Sequence, residues 1–274
     1  MRFVSVLYHD VFPDGGYDYG RIGESATRYH VAAGAFSRQL DLIQATGLVA
    51  LGAEAVEQAI EDREPGAGSS EQGVLISFDD GWNGAISGAA RILSERRVPA
   101  FFFITTGFIG KRHFASAAAI RALDPRLFTV GSHTVSHKML SSLPAAAIRA
   151  EVADSKRQLE DLLGRPVTAL SAPGGAVNRR VAAIVRDAGY TTLFTSSIAI
   201  NPTRGGMFDI ARLGVLRTTS DATFRRWLGF GLGRERFRKA LLGVPKRLLG
   251  MRAYSNLRRT ILGERAGVDH VFEP

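Results

Sequence analysis

The chain has no cysteine among its 274 residues. Disulfide frameworks, thiolate zinc sites and cysteine nucleophiles are therefore excluded, and any metal must be held by His, Asp or Glu. Long hydrophobic runs are missing too. The most apolar stretch, residues 98–110, falls short of the about 20 residues that a membrane-spanning helix needs. The first nine residues turn polar at His9-Asp10 without a long apolar core or a small-residue cleavage site, so no signal peptide is expected and a cytoplasmic chain is. Neither an internal repeat nor a low-complexity block is visible, which removes solenoids and long disordered regions from consideration.

Acidic residues are the scarcer charge, 26 against 35 Lys and Arg, and the resulting +9 is unevenly placed. From Arg225 to Pro274 there are twelve basic and four acidic residues, a balance of +8 that leaves only +1 on the preceding 224. In residues 229–274, Phe237, Leu241, Leu242, Val244, Leu248 and Leu249 interleave with Arg and Lys, the pattern of one or two basic amphipathic helices. Such an extension either packs on the main body or makes peripheral contact with an anionic membrane, here the inner leaflet. It lacks the aromatic ladder of a nucleic-acid surface, and no nucleic-acid partner is expected.

What remains reads as one α/β unit over residues 1–228. Residues 2–8 alternate and are rich in Val, Leu and aromatics, predicting a strand; residues 12–29 form a long glycine- and tyrosine-rich loop. Phe36, Leu40, Ile43 and Leu48 follow helical spacing, with Gly47 as the stop. Further strands are expected up to Phe78 and at 100–106, 127–132, 167–172, 190–196 and 208–216, with helices at 82–97, from Pro144 to Gly164, and at 176–188. Strands alternating with helices at this spacing predict a β/α barrel or a doubly wound sheet. His9-Asp10, Asp79-Asp80, His133 and Ser171-Ala172-Pro173 all fall at the C-terminal ends of different strands, where a barrel gathers its chemistry, so the barrel is preferred.

Asp79-Asp80-Gly81 taken alone is an ordinary turn signal. His133 and His137 change its meaning: two imidazoles four residues apart, one turn apart on one face, suit a single ion, and an Asp from another strand end supplies a third ligand. Three protein ligands leave a position open for water, the arrangement of a catalytic rather than a structural zinc site.

Phe78-Asp79-Asp80-Gly81 resembles the first motif of the polysaccharide deacetylases with NodB homology (carbohydrate esterase family 4). His133-Thr134-Val135-Ser136-His137 is similar to their second. The resemblance covers roughly residues 1–228 and implies a distorted (β/α)7-8 barrel of the polysaccharide deacetylase type. It further implies Asp79 as general base, Asp80, His133 and His137 as ligands of a divalent metal, zinc first, and an acetylated saccharide as substrate. The third motif departs from the family. Ser171-Ala172-Pro173-Gly174-Gly175 keeps Pro173, but Ser171 replaces the arginine that would tune Asp79, and Gly174 replaces tyrosine. The N–H of Gly174 would still serve the oxyanion, and a substitute arginine is sought first in Arg212, then in Arg217.

The family's late acid histidine is also missing, since no histidine lies between His137 and His270. Tyr8-His9-Asp10-Val11 resembles instead the N-terminal motif of the circularly permuted branch that acts on poly-N-acetylglucosamine, which implies His9 as the acid that protonates the leaving amine. Asp10 either orients the His9 ring or opens the loop. Tyr17, Tyr19 and Trp82 are candidates for stacking on sugar rings, whereas His30, His113 and His270 attract no role. The expected activity is removal of N-acetyl groups from an N-acetylhexosamine-containing glycan or glycolipid, with a lipid-linked substrate suggested by the basic tail. O-deacetylation, hydrolysis of a non-sugar amide, or a non-catalytic glycan-binding barrel are the alternatives.

Overall fold

A computed structural model describes residues 1–16, 27–61, 72–202 and 208–237. Tyr17, Tyr19 and residues 238–274 lie outside it. Twelve strands occur among the described residues: β1 (Arg2–Tyr8), β2 (Asp10–Phe12), β3 (His30–Ala32), β4 (Val49–Ala50), β5 (Gln72–Phe78), β6 (Ala100–Ile104), β7 (Phe128–Ser132), β8 (Ala169–Ser171), β9 (Thr192–Phe194), β10 (Asn201–Pro202), β11 (Asp209–Ile210) and β12 (Leu213–Gly214). The main sheet runs β10-β1-β5-β6-β7-β8-β9-β11, parallel throughout except for the β1–β10 pair. β12 returns to pair with β1, three residues after β11 has paired with β9, so this short segment links the two sides of a nearly closed barrel-shaped sheet.

Alternate residues of the strands form two apolar clusters, as the two-residue strand period requires. Phe3, Leu75, Phe101, Phe103, Ala169, Phe194 and Ile210 make the smaller one, in the same alternation as Ser77, Asp79, Ser171 and Arg212. Val4, Val6, Val74, Ile76, Phe78, Phe102 and Ile104 point the other way, into the larger cluster shared with the helices. Phe78 stacks on Phe102 with ring centroids 4.8 Å apart, and each such buried aromatic contributes roughly 1.5–3 kcal/mol. The helix Ala145–Leu163 buries Ile148, Val152, Ser155 and Leu159 along one stripe, and left-handed residues Gly47 and Gly164 close the helices before them.

Several boundaries differ from the sequence expectation, each for a local reason. The helix after Trp82 opens as a π-helical segment, Gly84–Ala89, before becoming α-helical at Ala90–Glu95. A Cβ at Gly84 would lie 2.3 Å from the Val11 carbonyl oxygen, so glycine is what lets β2 pass against this helix. The helix expected at 176–188 starts only at Arg179, where the Asn178 side chain accepts from the Val181 N–H. Residues 208–216 are not one strand. Asn201 clasps Ala211 through both its N–H and its carbonyl, at 2.8 and 2.9 Å, breaking the strand and turning Arg212 into the barrel. β3, directly after the expected loop of residues 12–29, pairs in parallel with β2.

The first nine residues of the expected extension, 229–237, lie against the body: Leu232 is buried, the Arg2 guanidinium sits 4.7 Å from the Phe230 ring centre, and Arg226 pairs with Glu235. Among the described residues no helix is long and apolar enough to cross a membrane.

Candidate active site

β5 ends in Phe78 and delivers Asp79 and Asp80, both buried, to the C-terminal edge of the sheet. The Asp79 N–H donates to the Tyr8 carbonyl at 3.0 Å, which fixes the end of β1, and with it His9, beside the pair. Asp80 takes a left-handed conformation (φ 76°), unusual for a residue with a side chain and the kind of strain that gathers at functional sites.

His133 and His137 do not lie on a helix turn. They belong to an irregular loop after β7, in which Thr134 (φ 66°) and His137 (φ 60°) are also left-handed. This loop is held from two sides. Thr106 and Gly107 donate backbone N–H groups to the carbonyls of Thr134 and Val135, and the Glu151 carboxylate accepts from the N–H of Val135 and Ser136, each at 2.9 Å, and from the Ser136 hydroxyl. The curl brings both imidazoles to one point: His133 Nε2 is 3.3 Å and His137 Nε2 3.1 Å from Asp80 Oδ1.

These three residues fit a divalent cation. Each offers one ligand atom, all within 4.8 Å of one another. His133 Nδ1 lies 2.8 Å from the Ser171 carbonyl, so in the neutral ring Nδ1 carries the proton and Nε2 turns its lone pair towards Asp80 Oδ1, itself buried without a hydrogen-bond partner. Facing lone pairs at this distance call for a positive charge between them. Asp80 Oδ2 is meanwhile held by the Trp82 indole N–H at 2.9 Å. A positive charge on the rings serves the same end: burial would raise the Asp80 carboxyl, but the charge of His137 and hydrogen bonds donated by His133 and His137 hold it well below the usual carboxylate range.

Asp79 lies 3.9 Å from His133 Nε2 and has a different partner. Arg212, 2% exposed, donates from Nη1 to Asp79 Oδ1 at 2.8 Å and from Nη2 to Oδ2 at 2.9 Å, a two-pronged pairing. Ser171 joins them: its hydroxyl donates to Asp79 Oδ2 at 3.1 Å and accepts from Arg212 Nη2 at 2.7 Å. Arg212 is itself steadied by the Thr195 carbonyl and by the rings of Phe103 and Phe194. Burial works against the Asp79 carboxylate, yet the arginine keeps its pKa below the ordinary value. Arg217 is elsewhere, donating to the carbonyls of His30 and Thr27.

The remaining expected residues fall as follows. His9 is half-buried, its ring 4.5 Å from that of Tyr29; burial pulls its pKa down, while the charges of Asp80 and Asp79 pull it up. Pro173 is buried and opens the 3-10 turn Pro173–Gly175 directly after Ala172, and Gly174 within it is exposed at φ 64°. Trp82 corrects the expectation of a sugar-stacking face. It is 1% exposed, packed between Phe114 and His30, and its accessible chemistry is the N–H spent on Asp80. Asp10 does not orient His9 either, because successive strand residues point to opposite sides. Its carboxylate is 3.7 Å from His30 Nδ1, with both side chains fully buried. Sequence reasoning missed Glu151, which looks like one more charge on a solvated helix, and gave His30 no role, since no motif surrounds it.

Comparison with known proteins gives these residues a context. Residues 67–193 match the family described as polysaccharide deacetylase. The Bacillus subtilis (strain 168) protein YxkH, itself described as of polysaccharide deacetylase type, is 26% identical over 175 residues, 64% of this chain and 61% of that one. A chitooligosaccharide deacetylase from Rhizobium leguminosarum bv. trifolii is 31% identical over 34% of this chain and 42% of its own. The chain thus spans less than two thirds of the curated relatives it matches. Among solved structures, IcaB from Ammonifex degensii superposes with a TM-score of 0.69 over 84% of this chain and 97% of its own, at 22% identity, a likeness of fold.

Proposed function

We propose that this chain, whose residues 67–193 match the polysaccharide deacetylase family, is a metal-dependent hydrolase that removes N-acetyl groups from an N-acetylhexosamine-containing glycan. The observation that carries the reading is the division of labour between adjacent aspartates: Asp80 converges with His133 and His137, while Asp79 is held by Arg212 and Ser171. Asp80, His133 and His137 would hold a divalent cation, zinc first. Bound there, the cation supplies Lewis-acid activation of water and of the acetyl carbonyl.

The chain's own groups do the rest. Asp79, kept ionised by Arg212, takes the proton of the attacking water. The N–H of Gly174, exposed in its turn, donates to the developing oxyanion. His9, on the other side of the pair, gives its proton to the leaving nitrogen as the C–N bond breaks, so that acetate and a free amine are released. Pro173 sets the path of the Gly174 turn; Tyr17, outside the described residues, is proposed as a sugar contact on its residue type alone.

The test is acetate release from N-acetylglucosamine oligomers by the purified chain, before and after chelation and after return of zinc, cobalt or nickel. Release that is lost on chelation and restored by metal supports the reading. Release unaffected by exhaustive chelation removes the metal, and failure on every N-acetylated saccharide alongside release from O-acetylated ones transfers the activity to O-deacetylation.

A further inference from the structure

The loops at the C-terminal edge of β6, β7, β8 and β9 are residues 105–116, 133–144 (the histidine loop), 172–178 and 195–200. Their charged residues are Lys111, Arg112 and Lys138, and the helix that follows the third loop begins with Arg179 and Arg180; no Asp or Glu occurs in any of the four. All five cations are exposed. Lys138 directly follows His137. Lys111 Nζ is 5.4 Å from the centre of the Phe108 ring, which lies 6.1 Å from the His137 ring, and Arg112 precedes His113, whose carbonyl accepts from the Asn83 N–H just after the aspartate pair. Among the described residues none of Lys111, Arg112 and Lys138 is in an ion pair.

Ordinary surface charge does not look like this elsewhere on the barrel. At the opposite edge the signs are mixed and matched, with Arg126 on Asp124 at 2.8 Å, Lys156 on Glu160 at 2.9 Å and Arg96 on Asp41. The acids near the mouth do not balance it: Asp79 is matched by Arg212 and Asp80 faces two histidines, while Glu151 and Asp154, which line a groove with Lys138, are engaged by the Val135 and Ser136 N–H groups and by Arg157 at 3.4 Å. One sign of charge around a concave site raises the local concentration of oppositely charged substrate and speeds its capture.

Resting on the deacetylase reading above, we infer that the substrate is anionic: an N-acetylated saccharide carrying a carboxylate or phosphate close to the acetamido group, received by Lys111, Arg112 and Lys138. A neutral N-acetylglucosamine polymer would leave these cations without a partner.

The experiment compares acetate release from a neutral N-acetylglucosamine oligomer with release from the same oligomer bearing carboxylates and, separately, phosphates. The expected result at low salt is a kcat/KM at least about tenfold higher for one of the anionic oligomers, carried mainly by KM. The advantage should shrink to about twofold at high salt, where charges are screened. In the combined Lys111→Ala, Arg112→Ala, Lys138→Ala variant it should disappear while activity on the neutral oligomer stays within about twofold. Equal kcat/KM for all three oligomers, or a preference that survives the triple variant, overturns the inference. Binding without turnover separates it from the reaction itself. Carboxylated cellotetraose, which has no acetyl group, should bind the wild-type chain more tightly than plain cellotetraose by calorimetry. That preference, together with no acetate release from any of the three N-acetylated oligomers, would count against the deacetylase reading alone, and equal binding would count against the anionic substrate alone.

Discussion

Arg212 grips Asp79 through both terminal nitrogens, at 2.8 and 2.9 Å, across 133 residues of sequence. Ser171 stands where the resemblance called for the tuning arginine, yet it is no gap. Its hydroxyl ties the arginine to the carboxylate, so a small residue on β8 makes room for a guanidinium arriving from the segment between β11 and β12.

The Asp79–Arg212 pair is buried on both sides, and removing one partner strands the other. Arg212→Met should destabilise the chain by about 3–5 kcal/mol and lower acetate release by two orders of magnitude or more. Arg212→Lys, which keeps the charge but not the fork, should fall between. Urea unfolding and turnover on the same preparations check this, and wild-type turnover in Arg212→Met would remove Arg212 from the account.

Glu151 holds the histidine loop through two backbone N–H groups and the Ser136 hydroxyl. Glu151→Ala should weaken zinc binding about 10- to 100-fold, the usual effect of losing a group that orients a ligand, and Glu151→Gln less so. Competition against a fluorescent chelator measures the affinity directly, and an unchanged value in Glu151→Ala would show that the loop holds its shape without the carboxylate.

Trp82 holds Asp80 through its indole N–H, and its ring packs between Phe114 and His30. Trp82→Phe keeps most of the packing against Phe114 but deletes the N–H that holds Asp80 Oδ2. A hydrogen bond to a charged group contributes about 1.5–3 kcal/mol, so zinc affinity should drop by about one to two orders of magnitude while KM for the saccharide stays near wild type. A raised KM with intact metal affinity would return Trp82 to the sugar.

Asp10 and His30 predict opposite pH slopes when separated. Burial pushes the Asp10 carboxyl up to about 7 and the His30 imidazole down to about 3, from 3.8 and 6.5. A raised acid takes up protons on folding and its stability contribution is lost as pH rises from about 4 to 7; a depressed histidine releases them and its contribution is lost as pH falls from 6.5 to 3. Together they nearly cancel between about pH 4 and 6.5. Asp10→Asn should therefore become less stable as pH falls through this window, and His30→Gln less stable as pH rises, each by up to about 1.4 kcal/mol per pH unit. Unfolding midpoints at three pH values give the two signs, and parallel slopes would contradict the paired burial.

The sequence made the barrel legible because strand and helix periods alternate cleanly and because its polar motifs fall at strand ends. Arg212 was legible only as a question: the missing motif arginine demanded a replacement, and no local pattern could say which arginine points inward. That depends on Asn201 breaking the last strand at Ala211, a contact between distant segments. The i, i+4 spacing of His133 and His137 suggested a helix turn. The backbone instead reaches the same convergence through left-handed Thr134 and His137, a conformation that propensity disfavours and Glu151 supports. Trp82 was misread because a tryptophan beside a site looks alike from sequence whether its face or its N–H is used.

The central claim is that two neighbouring aspartates do different work, and Asp79→Asn separates them most directly. With zinc titration and acetate release measured on one preparation, the account predicts one equivalent of zinc bound with affinity within about tenfold of wild type and turnover reduced at least about a thousandfold. Turnover near wild type, or loss of the zinc together with the activity, would contradict it.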